Sequence, residues 1–228
     1  MKTKYIFLSV WAMIMALTMT SCEDFLNQPP YDDFTDTEYW KDELQTRSFM
    51  YAFYPSVFSG FASGSQHGQF LMGETSNDDF ASDVEQKDLN PLSVPEADGS
   101  WSFTNIRKAN YVLENIDRID ANKTTKNHWR GVARFFRAYY YSNLVFRYGD
   151  VPWYDRVPKL SNSKEDMDYL YKDRDPRTYV DSCIMADFQY AMDSVRSNDG
   201  DLQVNKYVVA AMASRLLLRE GTFLKYHN

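Results

Sequence analysis

The run HWRGVARFFRAYYYSNLVFRYGDVPW, residues 128–153, limits what this chain can fold into more than any other stretch. Val132, Phe135, Phe136, Tyr139, Tyr140, Leu144 and Val145 recur at three- and four-residue steps, the spacing of one helix face. A face that rich in aromatic rings has to be buried against other elements. Gly149 is a stop signal at its end, and Pro152 reinforces it.

Other segments share the helical period. WSFTNIRKANYVLENIDRID, residues 101–120, puts Ile106, Ala109, Val112, Leu113, Ile116 and Ile119 on one stripe. The polar link ANKTTKN separates it from the aromatic run. Residues 154–175 are charged and read as loop. RTYVDSCIMADFQYAMDSVR forms another amphipathic helix, and VNKYVVAAMASRLLLREGTFLKYHN a last one, expected to end near Gly221. Small residues at Ala210, Ala211 and Ala213 would let that last helix pack closely. An earlier helix is expected from about Thr37, capped by Asp36 or Thr37, with Glu38 in its first turn. Tyr39, Trp40, Leu44, Phe49, Phe53 and Val57 supply its apolar side chains, and Pro55 kinks or ends it.

Residues 59–100 break the pattern with five glycines and two prolines, and no helical period survives. A loop of this length inside a domain is usually functional or disordered. No pair of alternating runs supports a large sheet. The expected fold is mainly α: helical-repeat, tetratricopeptide-like helix pairs with a long irregular loop region. The full tetratricopeptide signature is absent.

The N-terminus adds an address. Lys2 and Lys4 precede an uncharged apolar run from Tyr5 to about Thr20. The run is short for a membrane span, which needs about 20 residues. It fits a secretory signal peptide, and residues 1–21 are expected to be removed. Thr20, Ser21 and Cys22 resemble a bacterial lipobox, in which the cysteine thiol takes a diacylglycerol; Met19 stands where such motifs usually have Leu. Lipidation at Cys22 would anchor the chain, and residues 22–36, with Pro29 and Pro30, would form a tether to a helical domain at 37–228. With Cys22 acylated, Cys183 has no partner for an internal disulfide.

Composition excludes some functions. The net charge of −7 argues against nucleic acid, which needs clustered Lys and Arg. The 17 Tyr, 15 Phe and 5 Trp can fill a core or offer stacking surfaces for sugars. His67, His128 and His227 are scattered, so no metal site is expected and each reads as a surface or packing residue. Asp78, Asp79, Asp83, Glu85 and Asp88 lack EF-hand spacing and read as a solvated acidic loop. No cofactor is expected.

Four stretches together resemble the SusD/RagB family of Bacteroidota outer-membrane nutrient-binding lipoproteins: SCEDFLNQPP, WSFTNIRKANYVLENID, RFFRAYYYSNLVFRYGDVPW and AAMASRLLLREGTFLKYHN. The most specific part is Arg137-Ala138, then Leu144, then Tyr148-Gly149-Asp150-Val151-Pro152. The resemblance covers only the N-terminal part of the family's pattern, so the chain is expected to be a fragment or a short member. It implies a non-catalytic, surface-exposed lipoprotein of the outer membrane. Such a protein binds oligosaccharides or peptides and passes them to a SusC-like TonB-dependent transporter.

Candidate ligand residues are Asp78 and Asp79 in the segment Glu74–Phe80, together with Trp101 and Asn105. Carboxylates can accept sugar hydroxyl protons and an indole can stack on a sugar face. The competing reading makes the two aspartates turn caps and Trp101 a helix staple. Cys183 is expected to be buried on a face with Tyr179, Ala186 and Tyr190. Arg137 is expected to make a structural ion pair. Two other functions stay open: a helical scaffold that binds only proteins, and a glycoside hydrolase using two carboxylates.

Overall fold

The computed structural model describes residues 40–58, 99–158, 163–200 and 202–227. Cys22, the signal and tether segments, Asp78, Asp79 and nearly all of the long loop lie outside the described residues. The helices are α1 (Glu43–Tyr51), α2 (Tyr54–Val57), α3 (Thr104–Asn115), α4 (Lys123–Tyr148), α5 (Lys164–Leu170), α6 (Arg177–Ser194) and α7 (Lys206–His227). A short 3₁₀ turn, Ile116–Arg118, links α3 to α4. The architecture is mainly helical, as expected. Among the described residues the extended pairing is a single bridge between Val151 and Asp175.

Helix α4 is the spine. It packs along α6 and α3, and α6 turns back into α7, so α3–α4 and α6–α7 form two adjacent hairpins. Trp129, Val132, Phe135, Phe136, Tyr141 and Val145 are buried on it. Phe53, in the turn between α1 and α2, stacks on Phe136 with ring centroids 5.0 Å apart. Each such buried ring contributes roughly 1.5–3 kcal/mol. Gly131 lets α4 and α6 approach closely: a Cβ built there would lie 2.8 Å from Val195 Cγ2.

Several boundaries differ from expectation, mostly because a cap lies elsewhere. The first helix starts at Glu43, because the Asp42 side chain accepts the Gln45 N–H at 3.0 Å. Trp40 is buried ahead of the helix, and Leu44, expected on the buried stripe, is 70% exposed. The polar link is largely helix: Asn122 Oδ1 accepts the Thr125 N–H at 2.8 Å and starts α4 at Lys123. The segment read as loop holds α5, capped by Ser163 with Asp166 three residues on. Helix α7 runs through Gly221 to His227, since a lone glycine costs a helix only about 1 kcal/mol.

Two side-chain expectations also change. The inward face of α6 is Val180, Ile184, Phe188 and Ala191, so Cys183 sits beside that face, half-buried. On α7 only Ala213 of the three alanines is buried, with Val209 and Leu216. The α6–α7 connection is tied to the first turns of α4 through His128, which is fully buried. Its Nδ1 accepts the Arg196 N–H at 3.1 Å, so the neutral ring carries its proton on Nε2. Nε2 lies 3.3 Å from Asp199 Oδ2, a loose contact, and Asp199 also pairs with Arg47 and Arg196.

Candidate ligand-binding site

The end of α4 is built from the motif Tyr148–Trp153. Gly149 adopts φ 72, a conformation that favours glycine, and its N–H closes the helix on Val145 O at 2.9 Å. The chain then turns back across the helix. Trp153 N–H donates to Asp175 Oδ2 at 2.7 Å, and Tyr154 N–H donates to the Tyr141 hydroxyl at 2.6 Å. Burial pushes the Tyr141 hydroxyl pKa strongly up, so it stays protonated.

A buried polar network holds this turn in place. Arg137 donates to both Asp187 oxygens, from Nε at 2.7 Å and from Nη2 at 2.8 Å. Its Nη1 donates to Asn110 Oδ1 at 2.8 Å, and Asn110 Nδ2 donates to Tyr154 O at 2.8 Å. Residues from α3, α4, α6 and the turn thus share one set of bonds. The structural pairing expected for Arg137 is what the chain uses. A carboxyl pair, Asp181 and Glu220, lies between α6 and α7. Arg177 donates to both Glu220 oxygens, at 2.6 and 2.5 Å. Burial first, then the Glu220 carboxylate, push Asp181 up to about 7.

On this frame rests a cleft of about 520 Å³ between the approach to α3, the last turns of α4, and α7. Asn105, Asn143, Tyr148, Arg147 and Arg219 line it. The side-chain amides of Asn105 and Asn143 have no hydrogen-bond partner among the described residues. Tyr148 connects the cleft to Trp101: the rings meet edge to face, 4.8 Å between centroids. Trp101 is 38% exposed, and the Arg174 guanidinium lies 4.7 Å from its ring centroid. A smaller cavity of about 310 Å³ lies nearby, lined largely by apolar side chains including Phe103, Ile106, Tyr154 and Leu170.

The structure therefore brings two of the expected ligand residues to one place. Asn105 lines the cleft and Trp101 adjoins it. Asn143, Arg147, Tyr148 and Arg219 were not anticipated. Tyr148 had a signal, since it opens the Tyr-Gly-Asp-Val-Pro motif. Arg219 had none, because only the fold carries α7 back to α4. Among the described residues no group of three or more His, Cys, Asp or Glu side chains could hold a metal ion. No described helix is long and apolar enough to cross a membrane.

Comparison with known proteins gives a consistent answer. The model of a family of SusD-like proteins, described as starch-binding and associating with the outer membrane, matches residues 66–218. SusD-like protein P2 of Formosa agariphila is 24% identical over 223 residues, which cover 93% of this chain and 43% of that protein. A SusD-like protein of Bacteroides fragilis superposes with a TM-score of 0.58 at 20% identity, covering 86% of this chain and 38% of that one. A laminarin-binding SusD-like protein gives 0.55 at 17% identity, covering 80% and 41%. The chain thus spans less than half the length of these relatives.

Proposed function

Since the chain belongs to the SusD-like family, we propose that it is a surface-exposed glycan-binding lipoprotein serving oligosaccharide uptake across the outer membrane. The observation that carries this reading is the cleft beside Trp101. It combines aromatic edges and faces with planar amides and guanidinium groups. Sugar rings need both: apolar surface for their C–H faces and fixed donors and acceptors for their hydroxyls.

In this reading Asn105 and Asn143 bond ring hydroxyls and Trp101 supplies stacking surface. Asp78 and Asp79 add acceptors from the preceding loop. Cys22 carries the lipid, and the Pro-containing segment after it acts as a tether. A SusC-like TonB-dependent transporter receives the ligand. The protein binds and does not catalyse.

Affinity electrophoresis through gels containing single polysaccharides tests the binding role. Retardation by at least one polysaccharide, with no new reducing ends after incubation, is the expected result. Turnover would replace the reading with a hydrolase. Metabolic labelling with radioactive palmitate tests the anchor, and Cys22→Ala is expected to abolish incorporation.

A further inference from the structure

We propose that the cleft selects an anionic oligosaccharide, one bearing carboxylate or sulfate groups, and that Arg219 is the residue that reads the charge. This rests on the glycan-binding reading above. The lining of the cleft is unbalanced. It holds two guanidinium groups, Arg147 and Arg219, and no Asp or Glu among the described residues. The chain as a whole is acidic, at −7. The described lining is thus basic, against the overall charge of the molecule.

The two arginines are not equivalent. Arg147 lies in the last turn of α4, where a cation complements the partial negative charge of the helix end. Its guanidinium also lies 5.9 Å from the Tyr148 ring centroid. Arg219 stands in the third turn from the end of α7 and has no such role. Its Nη2 donates to Ser142 O at 2.8 Å, and its guanidinium lies 4.2 Å from the Phe146 ring centroid. No carboxylate among the described residues is within ion-pair distance of it. Its neighbour Glu220 is taken up by Arg177 through two bonds. Burial draws the Arg219 pKa down, while the neighbouring Glu220 carboxylate, engaged by Arg177, opposes the shift.

A guanidinium remains charged even so, and it presents five N–H donors in a planar fork. One is used internally by a backbone carbonyl. The fork matches a carboxylate or sulfate better than a neutral hydroxyl, and charged hydrogen bonds are the stronger ones. The unpartnered amides of Asn105 and Asn143, on the same lining, can take the hydroxyls of the same sugar. Long-range attraction cannot explain polyanion binding by an acidic chain, so any such binding must be local to a site like this.

The test is affinity electrophoresis of the full chain in gels containing polygalacturonate, carrageenan or amylopectin. Parent, Arg219→Gln and Arg219→Lys are run side by side, with helicity by circular dichroism as a check on folding. Retardation by polygalacturonate or carrageenan is expected, weakening as ionic strength rises. Arg219→Gln is expected to weaken it about tenfold, and Arg219→Lys by far less. Polygalacturonate alone would assign a carboxylate, carrageenan alone a sulfate. Retardation by amylopectin only would overturn the proposal and leave the glycan-binding reading standing. Retardation by the polyanions that survives unchanged in a folded Arg219→Gln would also overturn it. Normal mobility in every gel would overturn both.

Discussion

Arg137 and Asp187 face each other across the α4–α6 interface and share two hydrogen bonds, at 2.7 and 2.8 Å. Both side chains are almost fully buried. A pair of this kind adds little net stability over an apolar pair, but removing one partner strands a charge in the core. Asp187→Ala is therefore expected to cost about 3–5 kcal/mol, read from the urea midpoint. A double variant, Arg137→Met with Asp187→Leu, is expected to recover much of that loss. If the single variant costs under about 1 kcal/mol, the pair is not what fixes the turn at Tyr154.

A second prediction concerns close packing at Gly131. The nearest atom to an added side chain is Val195 Cγ2, on a buried, β-branched residue that cannot swing aside. Gly131→Leu is expected to destabilise the protein by at least about 2 kcal/mol despite leucine's better helix propensity. An unchanged melting temperature would mean the two helices can separate without loss.

The pH dependence has two opposing parts. His128 is pushed down to about 4, by burial first and then by Arg196, while Asp199 opposes the shift. Its ordinary value is 6.5, so the unfolded chain takes up the proton first on acidification. The stability it contributes is complete above about pH 6.5 and is lost as pH falls towards 4. Asp181 runs the other way: with its folded value near 7 against 3.8, its contribution is lost as pH rises through 7. Between pH 4 and 6.5 the two slopes oppose each other.

Single variants should expose each slope. Asp181→Asn is expected to lose stability more steeply than the parent between pH 6.5 and 4.5. His128→Gln is expected to lose it less steeply over the same range. Urea titrations at three pH values would measure both, and parallel curves for all three proteins would contradict the assignment.

At the cleft, Trp101→Ala and Asn105→Ala are expected to weaken retardation by whichever polysaccharide the parent binds. Loss of a stacking ring or of one hydrogen-bonding amide weakens binding by about fivefold or more. Both should leave the helical circular dichroism signal unchanged, because Trp101 is partly exposed and Asn105 makes no described side-chain bond. Full binding by both variants would move the site elsewhere.

The helices were readable in the sequence where a long apolar face decides them, as in α4, whose rings recur at helical spacing. They were misread where a single cap decides. Asn122 sits inside a polar link and Ser163 inside a charged one, so the composition of each hid the start of a helix. Gly221 misled in the opposite sense, because glycine is only a weak breaker inside a helix that is otherwise favourable. In the site, Asn105 and Trp101 were found from a local segment and a family likeness. Asn143 meets them through the packing of α3 on α4, and Arg219 through the folding of α7 against α4, which no local pattern encodes.

The length of α4 separates two kinds of chemistry. Its 26 residues extend about 39 Å, with His128 near one end and Arg147 near the other. Those two positions are about 28 Å apart along the axis, several times the roughly 8 Å over which salt screens a charge in physiological solution. A proton gained at His128 is thus electrically silent at the cleft. Ligand capture can keep its strength while acid loosens the far end of the same helix, until that end unfolds outright.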